Sequence, residues 1–177
     1  MFEKEFEERI QELEAMDQSS KIKHIPRKEW TDDMVKNKVL LWQVPRRTAQ
    51  LLYDLTRKKQ PRVVLEFGTS GGYSTLWFAK AMNNNGCIHT IEFSSYRADI
   101  AKETFRKVPF KNIVLHEGKI HSFIESWNHG LIDMVFIDAD KPHYLTHLRM
   151  IEPHLASDAI IIADNMLDNP KKVSDFR

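Results

Sequence analysis

The spacing of hydrophobic positions changes near residue 60. At the start of the chain Phe2, Phe6, Ile10, Leu13 and Met16 recur every three or four residues with charged residues between them, which predicts an amphipathic helix with one apolar stripe. The polar face of this helix is rich in glutamate rather than lysine, which argues against a membrane surface. We therefore expect the helix to cover the domain or a partner subunit.

The remainder of the N-terminal region predicts connections and one further long helix. Serine and proline indicate a loop over 18–30, the Thr-Asp-Asp run at 31–33 is typical of the cap of a short helix, and a second helix is predicted over 46–57. We expect a single domain, in which residues 1–58 form a helical cover and residues 59–177 form the core.

Beyond residue 60, short apolar runs alternate with helical patterns. The predicted strands lie at 62–67, 87–92, 112–116, 132–137 and 158–163, and the predicted helices at 73–82, 95–107, 120–127 and 143–154. This alternation is typical of an α/β fold, a mainly parallel sheet with helices on both faces. Ligands of such sheets bind beyond the carboxyl ends of the strands.

Composition and charge narrow the class of protein. With 26 basic and 25 acidic residues among 177, the formal charge of +1 creates no global attraction to nucleic acid or anionic membranes. The acidic N-terminus does not resemble a signal peptide, and no apolar run reaches membrane-spanning length. The single Cys87 cannot form an internal disulfide, so we expect a reducing, cytoplasmic location and no membrane partner.

A glycine-rich turn follows the first predicted strand and leads directly into a helix. It reads Gly68-Thr69-Ser70-Gly71-Gly72, and the backbone N–H groups of such a turn can approach an anionic ligand closely. A turn of this kind alone also fits a dinucleotide, a phosphate or a simple tight bend.

Two acidic residues narrow the choice of ligand. Glu92 ends the next strand roughly twenty residues after the turn, where a carboxylate can accept hydrogen bonds from both ribose hydroxyls. Glu66 precedes the turn and would repel a pyrophosphate, whereas it suits a ligand with an ammonium and a sulfonium. S-adenosylmethionine is such a ligand.

Oxygen donors follow two later strands. Asp138 comes directly after the strand at 132–137, and Asp164 and Asn165 follow the strand at 158–163. These hard ligands predict a divalent cation, namely Mg²⁺, Mn²⁺ or Ca²⁺, which would lower the pKa of a bound substrate hydroxyl.

Other interpretations of these residues stay open. The acids at 138 and 140 could cap the following helix, and the pair at 164–165 could form a turn. His143 and His147 stand four apart on a predicted helix, a spacing that can also bind zinc.

Taken together, the motifs at 66–74, Glu92, 137–144 and 163–165 resemble the cation-dependent O-methyltransferases of the catechol and caffeoyl-CoA type. The resemblance covers roughly residues 40 to 170. It implies a Rossmann-like class I methyltransferase fold and an enzyme that moves a methyl group from S-adenosylmethionine to a metal-chelated hydroxyl of a small, catechol-like acceptor.

The resemblance also assigns roles to individual residues. It implies that Lys141 is the general base and that Asp138 is a second catalytic residue. The implied metal ligands are Asp138, Asp164 and Asn165. Glu92 would hold the ribose, Gly118 and His121 would border the adenine, and the stretch containing Val44 would close over the cofactor. The implied cofactor contacts are Val44, Glu66, Gly68, Thr69, Ser70, Gly72, Ser74, Glu92, Gly118, His121 and Asp138.

One departure from this family bears on assembly. Proteins of this type continue past the last strand with a helix and an antiparallel strand pair, whereas this sequence stops at Arg177. The strand at 158–163 is then a potential hydrophobic edge that invites pairing with another chain. Either the polypeptide is a truncated form or a partner subunit contributes, and in the second case we expect a homodimer. Two other functions stay open: methylation of a hydroxylated tRNA base, the one case with a nucleic-acid partner, and a truncated, non-catalytic module that binds S-adenosylmethionine.

Overall fold

The computed structural model describes residues 2–19, 29 and 40–166 of the chain. The short helix predicted at 31–33, and most of the loop predicted at 18–30, lie outside the described residues.

Helices and strands alternate along the described core, as the sequence predicts. The helices are α1 (Phe2–Met16), α2 (Arg46–Lys59), α3 (Tyr73–Met82), α4 (Ser95–Arg106), α5 (Ile120–Glu125) and α6 (Tyr144–Ile151), with 3₁₀ turns at Lys141–His143 and Glu152–His154 on either side of α6. The strands are β1 (Val63–Phe67), β2 (Cys87–Glu92), β3 (Ile113–Glu117), β4 (Ile132–Ile137) and β5 (Leu155–Ala163). None of the described helices is both long enough and apolar enough to cross a bilayer.

Two predicted boundaries were wrong by three residues, and the other strand and helix boundaries of the core differ by at most two. Strand β5 begins at Leu155 rather than at 158, because an irregularity in the β4–β5 ladder lets Ile132 pair with Leu155 while Met134 pairs with Ile160. The helix predicted over 143–154 is α-helical only in α6, since prolines lie in the 3₁₀ turns that flank it.

The five strands form one parallel sheet in the order β3-β2-β1-β4-β5, which confirms the predicted fold class. Phe67 at the end of β1 is level with Ile91 on β2 and with Ile137 on β4. Ile137 is in turn level with Ala163 on β5. The segments that follow β1, β2, β4 and β5 therefore meet at one edge of the sheet.

Helices cover both faces of the sheet and bury a separate core on each. One core contains the apolar stripe of α1, where Phe6, Ile10 and Leu13 have no exposed surface, and Phe6 packs edge-on against Trp77 of α3 at 5.2 Å between ring centroids. Burial of each such side chain stabilises the fold by about 1.5–3 kcal/mol. The amphipathic helix predicted at the N-terminus thus packs on the domain itself.

The second core, beneath α5 and α6, includes a group of stacked histidines. His89 of β2 lies with its ring centroid 5.3 Å from His116 of β3 and 4.3 Å from His129, and Trp127 packs edge-on against it at 5.2 Å. Burial is the main cause that lowers the pKa of His89 to about 4, and the two neighbouring histidines add to it. His89 is therefore neutral at pH 7.

Candidate functional site

The turn between β1 and α3 depends on two glycines. Gly68 and Gly72 have φ angles of 99° and 89°, in the left-handed region that favours glycine. A Cβ atom at Gly68 would lie only 2.3 Å from the carbonyl oxygen of Asp138, and one at Gly72 would lie 2.7 Å from the ring of Phe105. The turn is therefore pressed between the end of β4 and helix α4.

Backbone hydrogen bonds tie this turn to the end of β2. The N–H groups of Gly68 and Thr69 both donate to the carbonyl oxygen of Ile91, at 3.0 and 3.1 Å. The next N–H group, that of Ser70, donates to Oε2 of Glu92 at 2.7 Å. Three residues predicted to bind the cofactor and the acid predicted to bind its ribose are thus brought together.

Glu92 connects the turn to the loops that follow β2 and β3. Its second carboxylate oxygen, Oε1, accepts a hydrogen bond from the N–H of Ser94 at 2.8 Å, and its backbone carbonyl accepts one from the N–H of Gly118 at 2.9 Å. The side chain is only 7% exposed. Each carboxylate oxygen can accept a second hydrogen bond, so two fixed acceptors remain available for ligand hydroxyls.

Glu66, in contrast, lies beneath the site. The residue has no exposed surface, and its carboxylate accepts hydrogen bonds from the hydroxyls of Ser74, Thr75 and Thr90. Burial raises the pKa of Glu66 to about 7, although these three hydroxyls favour the charged form. The sequence pattern singled out Ser74, but it missed Thr75, the next residue of α3, and Thr90, which lies two positions before Glu92 in β2.

The segment that contains Val44 packs against the glycine turn. The carbonyl oxygen of Leu41 accepts a hydrogen bond from the hydroxyl of Ser70, and the N–H of Leu41 donates to Oδ1 of Asp17 at 3.0 Å. Val44 itself is 4% exposed. The end of α1 therefore holds this segment in place over the turn.

Acidic residues meet at the ends of β4 and β5. The N–H of Asp138 donates to Phe67 of β1 and the N–H of Asp164 donates to Ile137, both at 3.0 Å, so the two acids follow neighbouring strands at the same level. Nζ of Lys141 lies 2.8 Å from Oδ1 of Asp138, in a pair that is mostly buried. Burial raises the pKa of Asp138, Lys141 opposes this effect, and Asp164 adds to it.

Asn165 and Tyr144 lie near these two acids at the ends of β4 and β5. Asn165 follows with a left-handed φ of 57°. The buried Tyr144 places its hydroxyl 3.4 Å from the carbonyl oxygen of Asp164. Burial raises the pKa of this hydroxyl, and the carboxylates of Asp138, Asp164 and Asp140 raise it further. Two carboxylates and one amide oxygen from adjacent strand ends are a donor set that fits a hard divalent cation.

The alternative of a zinc centre at His143 and His147 receives no support. Their rings lie 6.0 Å apart, and His121 approaches His147 at 5.2 Å. In the part of the chain that the structure describes, however, no three His, Cys, Asp or Glu side chains are grouped so that they could hold a metal ion. His143 instead contacts Oδ2 of Asp140 through Nδ1 at 3.0 Å.

The two residues predicted to border an adenine, Gly118 and His121, do not line the same cavity. Gly118 lines an open cavity of about 550 Å³ together with Lys119, Ser122 and Phe123. His121 does not line this cavity; its ring packs against His147 of α6. The cavity lies beside Glu92, since Gly118 is bonded to that residue.

An open parallel sheet that carries a glycine turn after β1 and acids at the ends of β2, β4 and β5 defines a Rossmann-like fold with a ligand site at the carboxyl ends of its strands. Residues 16–175 match the family model described as O-methyltransferase. The chain belongs to this O-methyltransferase family.

Similar proteins agree with this assignment. The chain is 33% identical over 127 residues to a catechol O-methyltransferase from Niastella koreensis, covering 69% of this chain and 56% of that protein. It is 30% identical over 109 residues to a catechol O-methyltransferase from Mycobacterium tuberculosis, covering 61% of this chain and 50% of that protein. The chain thus spans about half the length of these curated relatives.

Solved structures show the same fold. The O-methyltransferase TomG from Streptomyces achromogenes, involved in tomaymycin synthesis and solved in complex with S-adenosylmethionine, superposes with a TM-score of 0.70 at 26% identity. The match covers 81% of this chain and 69% of TomG.

Proposed function

We propose that this protein transfers a methyl group from S-adenosylmethionine to a hydroxyl of a small, catechol-like acceptor, with a divalent cation as a second cofactor. The observation that carries the proposal is the level arrangement of four strand ends, which brings the glycine turn, Glu92, Asp138 and Asp164 to one edge of the sheet. Family membership, the catechol O-methyltransferases among the relatives and the ligand of TomG support it.

The cofactor contacts follow from this arrangement. We assign the ribose hydroxyls to Glu92, whose carboxylate is held rigidly by two backbone N–H groups. We assign the adenine to the cavity beside Gly118. A contact of His121 with the adenine stays a prediction from the family resemblance. The methionine end would lie against Val44, Gly68, Thr69, Ser70, Gly72, Ser74 and Asp138, around the glycine turn and the end of β4.

For the cation, we propose Asp138, Asp164 and Asn165 as ligands. Oxygen donors of this kind suit Mg²⁺, Mn²⁺ or Ca²⁺. When bound, such an ion lowers the pKa of a coordinated hydroxyl by several units and so makes it a better nucleophile.

Lys141 is proposed as the residue that removes the acceptor proton. The 3₁₀ turn that begins at Lys141 keeps its Nζ beside Asp138, at the end of β4. In its neutral form the amine would take the proton of the hydroxyl while the oxygen attacks the methyl carbon. S-adenosylmethionine would supply the methyl group, and the electron pair of its broken carbon–sulfur bond would stay on sulfur, giving S-adenosylhomocysteine.

A methyl-transfer assay with labelled S-adenosylmethionine, catechol and Mg²⁺ tests this proposal. Lys141→Met removes the amine and should lower kcat by about 100-fold or more, while the Kd for S-adenosylhomocysteine changes by less than about twofold. Lys4→Met is the matched control, because the ion pair of Lys4 with Glu8 is exposed on α1. Equal kcat values for the two variants would contradict the role of Lys141.

Metal dependence is tested separately. Chelation of divalent ions by EDTA should abolish turnover, and Asp164→Asn should raise the Mg²⁺ concentration needed for half-maximal activity. Turnover that persists in EDTA would rule out the cation while leaving the transfer reaction itself in place.

We also propose a homodimer in the cytoplasm. Among the described residues β5 pairs only with β4, and Ile161 on β5 is 39% exposed, so this edge of the sheet can accept another chain. The lone, partly buried Cys87 supports a reducing compartment. Light scattering that gives a monomer mass at micromolar concentration would exclude the dimer.

A further inference from the structure

The peptide between Gly71 and Gly72 has a glycine on each side, at the point where the glycine turn enters α3. Neither residue carries a Cβ atom, so steric contacts restrict the rotation of this peptide only weakly. A Cβ atom at Gly71 would crowd the side chains of Leu41 and Leu13, at 3.1 and 3.2 Å, so a bulkier residue that restricts the rotation is disfavoured. The orientation of the peptide therefore depends on its hydrogen bonds.

Both polar groups of this peptide are hydrogen-bonded. The N–H of Gly72 donates to the carbonyl oxygen of Thr69 at 2.9 Å, within the turn itself. The carbonyl oxygen of Gly71 accepts a hydrogen bond from the hydroxyl of Thr104 in α4, at 2.7 Å. This carbonyl precedes the backbone hydrogen bonds of α3, the first of which runs from the N–H of Leu76 to Gly72. Thr104 thus ties the peptide to a second helix.

A buried arginine of α1 holds Thr104 in turn. Nε and Nη2 of Arg9 donate to Oγ1 of Thr104 at 3.1 and 2.8 Å, and Nη1 of Arg9 lies 2.6 Å from Oε2 of Glu12. Arg9 is 2% exposed, and Thr104 has no exposed surface. Arg9 and Thr104 are 95 positions apart in the sequence, so only the packing of α1 on the domain brings them together.

The two donors of Arg9 decide where the proton of the Thr104 hydroxyl points. A hydroxyl has one proton and two acceptor lone pairs. The N–H groups of Arg9 occupy the acceptor side of Oγ1, which directs the proton toward the carbonyl oxygens of Gly71 and Ile100, at 2.7 and 2.9 Å. Without Arg9 the hydroxyl is free to rotate, and the carbonyl of Gly71 loses a donor that is fixed in direction.

We propose that Arg9 and Thr104 are positioning residues: the guanidinium orients the threonine hydroxyl, and the hydroxyl holds the peptide between Gly71 and Gly72 in the conformation that binds the cofactor. Neither Arg9 nor Thr104 is among the proposed cofactor contacts, so both act through the backbone of the turn. The inference rests on the proposed function for the identity of the ligand, but not for the hydrogen bonds themselves. It gives α1 a role in the site besides covering one face of the sheet.

Four variants isolate these hydrogen bonds. Thr104→Val replaces the hydroxyl by a methyl group of similar size, Arg9→Met removes the donors of α1, and Thr104→Ser keeps the hydroxyl. Thr56→Val is the matched control, because Thr56 is 1% exposed and its hydroxyl donates to the carbonyl oxygen of Leu52 in its own helix, at 2.7 Å. This control reproduces the loss of the bond to Ile100 without a change at the glycine turn.

The first measurement is calorimetric titration with S-adenosylhomocysteine. Thr104→Val and Arg9→Met should each raise the Kd by about five- to tenfold, the loss that corresponds to one hydrogen bond. The double variant should lose no more than about tenfold, since both changes break the same chain. Thr104→Ser and Thr56→Val should bind within about twofold of the wild type.

Two results of this titration would overturn the inference. One is an unchanged Kd in a folded variant at either position, even if that variant is less stable, and Arg9→Met carries the test if Thr104→Val does not fold. The other is a loss in the double variant that equals the product of the two single losses, because independent effects multiply.

The second measurement uses no ligand and keeps the two proposals distinguishable. Amide hydrogen exchange at Gly72, divided by that at Ile88 near the start of β2 to correct for general stability, should be about tenfold faster in Thr104→Val and Arg9→Met than in Thr56→Val. A wild-type protein that fails to bind S-adenosylhomocysteine would refute the proposed function, and the exchange rates would still decide the positioning role. Equal ratios in all three variants would refute that role.

Discussion

Replacement of Gly68 by alanine tests how closely the glycine turn approaches β4. Gly68 has a φ of 99°, and an added Cβ would lie 2.3 Å from the carbonyl oxygen and 3.1 Å from the carbonyl carbon of Asp138. Both atoms belong to the backbone, so no side-chain rotation can relieve the overlap.

The expected loss has two parts. An alanine in a left-handed conformation costs about 1–2 kcal/mol relative to glycine. The overlap must also be relieved by moving the ends of β1 and β4 apart, which stretches the hydrogen bond from the N–H of Asp138 to Phe67, now 3.0 Å long, and costs about 1–2 kcal/mol more. We therefore expect Gly68→Ala to lower the free energy of unfolding by about 3 kcal/mol.

Urea unfolding monitored by fluorescence measures this loss, and Gly130→Ala supplies the matched control. Gly130 also has a positive φ, 85°, but no atom lies within 4 Å of its added Cβ. The control should lose only the conformational cost, about 1–2 kcal/mol. Equal losses in the two variants would refute the close approach of β1 and β4 that this reasoning assumes.

Two further changes test the packing of the fold. Arg9 is 2% exposed and donates to Oγ1 of Thr104 from Nε and Nη2, at 3.1 and 2.8 Å, so Arg9→Met should lower the free energy of unfolding by about 1.5–3 kcal/mol. Lys4→Met removes only an exposed ion pair on the same helix and should change the free energy of unfolding by less than about 0.5 kcal/mol. Similar losses for the two variants in urea unfolding would show that the buried contact between Arg9 and Thr104 contributes nothing. Because the folded protein holds the pKa of His89 near 4, below the ordinary 6.5, protonation of the unfolded chain should cost stability as the pH falls from 6.5 to 4, by up to about 3 kcal/mol. Urea unfolding at pH 6.5 and pH 4 measures this loss in the free energy of unfolding, and His89→Gln should reduce it by up to about 3 kcal/mol. The control is His143→Gln, because His143 is exposed. The same pH dependence in both variants would contradict the lowered pKa of His89.

Local patterns explain why much of the fold could be predicted. Strand and helix periodicities depend on neighbouring residues, and the runs that became β1 and β4 are mostly apolar because both faces of the sheet are covered. The ends of α6 and the start of β5 were predicted less well. Prolines at 142 and 153 and an irregular ladder with β4 changed them, and the ladder depends on a partner strand distant in sequence.

The candidate site, like the fold, could be predicted from the sequence only in part. The order of motifs along the chain placed Glu92 and Asp138 at strand ends, and the parallel sheet brings those ends together. The family resemblance predicts that Glu66 and His121 lie beside the ligand, and both stay predictions; the structure shows Glu66 in the interior and the ring of His121 against His147 of α6.

The amino-acid sequence by itself determined which segments become strands and helices, and which acids follow them, because both properties depend on the spacing of residues that are close in the sequence. The tertiary structure alone decided which hydroxyls donate hydrogen bonds to Glu66 and how close Gly68 lies to Asp138. It also decided that the carbonyl oxygen of Leu41 accepts a hydrogen bond from Ser70. Those contacts join residues from different strands and helices, and their partners depend on strand register and helix packing, which periodicity along a single segment does not specify.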